Sequence, residues 1–127
     1  MTDQAKKKIL LVEDDQFIYM LLKNRLKEEG FEVEHVIDGN EALKLLKESK
    51  FDLILMDIIL PEKSGFEAME AIVSDPQFGK TPIIIISNLG QEEDIAKGKE
   101  LGAVEYFVKA QTPIDELVRK VSDFLKK

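Results

Sequence analysis

The 127-residue chain has no cysteine, no tryptophan and one histidine. Without cysteine there is neither a disulfide framework nor a thiolate metal site. Without tryptophan, the usual fluorescence-quenching assay for a bound metal is ruled out. No apolar run approaches the roughly 18 residues of a membrane span. Residues 1–8 are polar and lack the apolar segment of a signal peptide. Basic residues are outnumbered, 18 Lys and Arg against 25 Asp and Glu, for a net charge of −7. Phosphate backbones need a basic surface, so nucleic acid is not expected as a direct partner. The run Lys6-Lys7-Lys8 is too short to change that. No low-complexity linker interrupts the chain. We expect a cytoplasmic protein forming one domain over residues 1–127.

What is present is organised around residues 51–61, FDLILMDIILP, which are apolar from Leu53 to Leu60 except at Asp57. Closed by Pro61, this run reads as a strand covered on both faces, as inside a parallel sheet. An Asp there must be paired, bound to a metal, or placed where the strand meets solvent. Four more strand-like runs follow the same logic: Lys8–Val12, residues 31–37, residues 83–86 ending at Ser87, and Glu105–Val108 ending at Lys109. Between them apolar residues recur at helical spacing, for example Ile18, Leu22 and Leu26, or Leu117, Val121 and Leu125. The helix over residues 92–101 is the weakest, since Gly98 costs about 1 kcal/mol relative to Ala. Five βα repeats predict an α/β fold, a parallel sheet with helices on both faces. We expect the flavodoxin-like order 2-1-3-4-5, taken from known doubly wound folds because alternation alone does not dictate a strand order.

In that order strands 1, 3, 4 and 5 are neighbours, and ligands bind beyond their carboxyl ends. Those ends carry Asp14 and Asp15, Asp57, Ser87 and Lys109. Each alone has a plainer explanation, as a helix-dipole partner, a cap or a solvated charge. Together they form a constellation. Like charges about 4 Å apart repel by roughly 4 kcal/mol at an effective dielectric near 20, so three carboxylates call for a cation. Oxygen ligands suit a hard one, Mg²⁺ or Mn²⁺ as a substitute. Beside it Asp57 can act as a nucleophile toward a phosphoryl group, with Ser87 and Lys109 engaging the phosphoryl oxygens.

On Glu13-Asp14-Asp15, Met56-Asp57, Pro61 with Gly65, Ser87, Gly102-Ala103, Tyr106 and Lys109, the chain resembles the receiver domain of two-component response regulators, of the single-domain chemotaxis type. The resemblance runs from about Lys7 to Leu125. It implies that Asp57 accepts phosphate from a histidine kinase or phosphotransfer protein. It implies Mg²⁺ held by Asp14, Asp15, Asp57 and the Ile59 carbonyl, and a switch pair, Ser87 and Tyr106. A downstream protein would then read the face of helix 4, strand 5 and helix 5. With no output domain after Lys127, the chain is expected to act by binding, catalysing only its own phosphorylation and slow dephosphorylation.

Two positions depart from the family pattern. Lys109 is commonly followed by a proline in a cis bond, and here Ala110 follows. A cis bond before a non-proline residue costs roughly 3–4 kcal/mol, and the sequence leaves cis or trans open. The residue after Ser87 is usually small, and here it is Asn88. These departures keep an alternative in view, a phosphorylation-independent receiver serving as an interaction module. A flavin module is disfavoured, because Glu13-Asp14-Asp15 would repel phosphate. A phosphatase resembling the haloacid dehalogenases would need a second Asp two residues after Asp57, where Ile59 stands. His35, the lone histidine, is read as structural, and Glu92-Glu93-Asp94 as a helix start favouring negative charge.

Overall fold

The computed structural model describes residues 6–126; residues 1–5, part of the polar start read above, and residue 127 lie outside them. Strands and helices alternate as β1 Lys8–Val12, α1 Gln16–Glu28, β2 Glu32–Val36, α2 Gly39–Glu48, β3 Leu53–Met56, α3 Gly65–Val73, β4 Ile83–Ser87, α4 Glu92–Glu100, β5 Glu105–Val108 and α5 Ile114–Lys126. A single 3-10 turn, Lys109–Gln111, links β5 to α5. All strand pairs are parallel, in the order β2-β1-β3-β4-β5. The expected flavodoxin-like α/β fold is the observed one.

The period-2 alternation of side chains along each strand sorts the core into two layers. Ile9, Leu11, Leu53, Leu55, Ile84 and Ile86 face α1 and α5, where Leu22, Leu26, Leu117 and Val121 cover them. Leu10, Val12, Ile54, Met56, Ile83 and Ile85 face the other way, against Ala42, Leu46, Ala68, Met69 and Ile72 of α2 and α3. Fully burying each larger side chain stabilises by roughly 1.5–3 kcal/mol, so the strand ends are a rigid frame for whatever follows them. On α4 only Gly98 is buried, in keeping with its weak sequence pattern. Among the described residues no helix is long and apolar enough to cross a membrane.

Side-chain caps set where helices begin. Asp38 accepts the Glu41 N–H at 2.8 Å, and Ser64 and Glu67 form a reciprocal capping box. Gly30 follows α1 with φ +98°, a conformation that favours glycine.

The apolar run of residues 53–60 is strand only as far as Met56, a correction to the sequence reading. Asp57 Oδ1 accepts the Ile58 N–H at 2.7 Å and the Ile59 N–H at 3.3 Å, which turns those amides away from any neighbouring strand. The Ile58 carbonyl takes the Gly65 N–H at 2.8 Å, closing the loop onto the start of α3. A Cβ on Gly65 would lie 2.3 Å from the Asp57 carbonyl, so only glycine permits that approach. Ile58 is buried beneath the loop, while Ile59 is 57% exposed.

Candidate functional site

Asp57 is the first residue beyond β3, and its N–H donates to the Val12 carbonyl at the end of β1. It is 5% exposed. One carboxylate oxygen is taken by backbone amides; the other, Oδ2, accepts from Lys109 Nζ at 2.8 Å. Lys109 reaches it from the first residue after β5. The same ammonium lies 2.7 Å from Glu13 Oε1. That contact is an ion pair out of hydrogen-bond alignment, because Oε1 has no hydrogen-bond partner among the described residues.

Glu13, not Asp15, completes the acidic cluster. Glu13, Asp14 and Asp57 each present a carboxylate oxygen within 4.8 Å of the others. Asp15, expected to be a metal ligand, turns its carboxylate onto the Ile18 N–H at 3.1 Å and caps α1. Its own N–H donates to Glu13 Oε2 at 3.1 Å. A short acidic side chain one residue before a helix is a natural cap, and that role orients it away from the sheet. The signal for Glu13 lay in the register. Val12 pairs with Met56, so the next step along both chains sets Glu13 beside Asp57.

The electrostatics follow from this crowding. Burial raises the Glu13 carboxyl above its ordinary value; the Asp57 charge adds to the rise, and Lys109 and the Asp15 amide offset it only in part. Burial would lower Lys109, but its hydrogen bond to Asp57, its close contact with Glu13 and the charges of both outweigh it, so Lys109 titrates above its ordinary value. Three carboxylates thus crowd together around one ammonium, which pairs with two of them, Glu13 and Asp57. This is a hard-oxygen donor set in which one buried oxygen, Glu13 Oε1, has an ion-pair contact but no hydrogen bond among the described residues, and it can hold a divalent cation such as Mg²⁺.

Ser87 and Tyr106 meet through Leu89. The buried Ser87 Oγ accepts the Leu89 N–H at 3.2 Å, and Tyr106 Oη donates to the Leu89 carbonyl at 2.5 Å. The Tyr106 ring is buried, seated on the bare backbone of Gly98, where a Cβ would fall 2.9 Å from the ring. Burial, then the Asp94 charge, raises the phenol above its ordinary value. The Lys109–Ala110 bond is trans, and the Ala110 N–H donates to Asn88 Oδ1 at 3.0 Å, so the two departures from the family pattern bond to each other.

Comparison with known proteins agrees with this geometry. The profile of the response regulator receiver domain matches residues 9–122. The transcriptional regulatory protein CpxR of Escherichia coli K12 is 40% identical over 122 residues, covering 94% of this chain and 50% of that protein. The chain thus spans about half the length of the curated relatives it matches. Among solved structures, Vibrio cholerae chemotaxis protein CheY4 superposes with a TM-score of 0.85 at 31% identity, covering 94% of this chain and 98% of that one. The receiver domain of sensor histidine kinase PA1611 from Pseudomonas aeruginosa PAO1, with a magnesium ion coordinated in its active site cleft, has a TM-score of 0.85 at 28% identity, over 97% and 100%.

Proposed function

The chain belongs to the response regulator receiver domain family, and on that premise we propose that it is a phosphoacceptor whose Asp57 takes a phosphoryl group from a histidine kinase or phosphotransfer protein. The observation that carries this reading is the buried Asp57 carboxylate, gripped by Lys109 and crowded by Glu13 and Asp14. An Asp57 oxygen forms the new O–P bond while the donor's N–P bond breaks and its histidine nitrogen keeps the electron pair. Lys109 is placed to follow the charge onto the phosphoryl oxygens, and the Ser87 hydroxyl to donate to one of them. Glu13, Asp14 and Asp57, with the Ile59 carbonyl, would hold Mg²⁺, which supplies charge neutralisation for the transferring group. The magnesium in the related PA1611 receiver supports that choice of ion.

The Ser87–Leu89–Tyr106 link supports a switch: a hydroxyl drawn toward phosphate pulls the Leu89 segment, and with it the tyrosine and the face of α4, β5 and α5. A downstream protein reading that face would complete the signal, in the cytoplasm. The domain performs its own phosphorylation and slow hydrolysis and does not turn over a substrate. The test is intact mass after incubation with Mg²⁺ and a small acyl phosphate. Wild type should gain one phosphoryl group and Asp57→Asn none. No gain in wild type would favour the interaction-module alternative.

A further inference from the structure

We propose that His35 is a positioning residue for the acidic pair Glu13-Asp14, acting through the peptide that joins them; this rests on the reading of those two residues as cation ligands. β1 ends at Val12, so the Glu13 carbonyl has passed beyond the regular strand. The Glu13 N–H still donates to the Val36 carbonyl at 3.1 Å, but the carbonyl is met instead by a side chain, His35 Nε2, at 2.5 Å. A carbonyl only accepts, so Nε2 carries the hydrogen and donates it.

The ring itself is held. Tyr19 of α1 stacks on it with centroids 3.5 Å apart and planes 12° from parallel. His35 comes from β2 in register with Leu11, two residues before Glu13. The donor thus sits on the sheet and its clamp on the neighbouring helix.

The consequence passes through covalent geometry. The Glu13 carbonyl and the Asp14 N–H share one rigid plane. Fixing the carbonyl oxygen fixes the plane, and the plane sets where the Cα of each acid aims its side chain. Asp14 depends on this most. It is exposed, and its carboxylate makes no hydrogen bond among the described residues, so its backbone is what brings it within 4.8 Å of Glu13 and Asp57. Glu13 has further anchors in Lys109 and the Asp15 amide. Groups that orient metal ligands change affinity about 10–100-fold when they touch the ligand side chain. Acting through the backbone, His35 should fall at or below the lower end.

The experiment measures Mg²⁺ affinity of the full chain by titration calorimetry, alongside the melting temperature in chelator. His35→Phe keeps a ring on Tyr19 and removes the donor; His35→Gln restores an N–H and removes the ring. Mg²⁺ affinity should fall about five- to tenfold in His35→Phe and recover to within about threefold in His35→Gln. A merely structural residue would lower the melting temperature and leave the affinity of the folded protein unchanged. Tyr19→Leu, which frees the ring but keeps the donor, should weaken Mg²⁺ by a smaller factor and serves if His35→Phe does not fold. Wild type that binds Mg²⁺, with His35→Phe or Tyr19→Leu within experimental error of it, overturns the proposal alone. Wild type that binds no Mg²⁺ overturns the cation site and the proposal together.

Discussion

Replacing Asp57 with asparagine should make the metal-free protein more stable, although it breaks a buried ion pair. Lys109 Nζ stands 2.8 Å from Asp57 Oδ2, an attraction of about 6 kcal/mol at an effective dielectric near 20. Glu13 and Asp14 each bring a carboxylate oxygen within 4.8 Å of Asp57, repulsions of at least about 3.5 kcal/mol apiece on the same scale. Repulsion already exceeds attraction, and the desolvation of a carboxylate that is 5% exposed adds to the cost. Asparagine keeps a carbonyl oxygen for the Ile58 N–H, and Lys109 keeps Glu13. What is lost is the Lys109–Asp57 pair, already counted in the attraction above. We expect a net gain of about 1–2 kcal/mol, or about 4–8 °C in melting temperature for a domain of this size. Scanning calorimetry in chelator near neutral pH measures it. Mg²⁺ should then raise wild type more than the variant, because a ligand of the native state stabilises according to its affinity. A variant that melts at or below wild type in chelator would show that the Lys109 pair outweighs the crowding, and the electrostatic argument would be wrong.

Other expectations follow from single contacts. The Tyr106 phenol titrates above its ordinary 10.0 in the fold, so its contribution is complete below that pH and is lost as pH rises through the folded value; urea unfolding above pH 10.0 should show a steeper loss in wild type than in Tyr106→Phe. Gly98→Ala adds a Cβ 2.6 Å from Ile85 Cδ1 and 2.9 Å from the Tyr106 ring. Overpacking of about 1–3 kcal/mol should outweigh a helix gain of about 1 kcal/mol, and NMR should show the tyrosine ring displaced. Glu62 has φ +66°, so Glu62→Gly should raise unfolding free energy by about 0.5–1 kcal/mol. Ile59 and Leu89 carry no group that can orient a water, so phosphorylated protein should decay slowly; Leu89→Glu or Ile59→Asn should hasten the loss seen after donor removal.

The sequence by itself determined the five alternating strand–helix repeats, because hydrophobic period and glycine, proline and acidic punctuation are local properties. It also singled out Asp57, Ser87 and Lys109, since a charge or hydroxyl ending a buried strand stands out against its neighbours; Tyr106 came only through the family resemblance. Where local pattern is silent, the tertiary structure decided. Three consecutive acids, Glu13, Asp14 and Asp15, look alike in one dimension. Only the pairing of Val12 with Met56 puts Glu13 beside Asp57 and leaves Asp15 to cap α1. The apolar run after Asp57 reads as continued strand, yet the bonds of Asp57 to its own following amides end the strand at Met56. His35 is a lone polar residue on a half-buried strand until the fold brings it to the Glu13 carbonyl, 22 residues away. Residues far apart in the chain acquire their partners from strand register and loop closure, and neither is written in the period of any single segment.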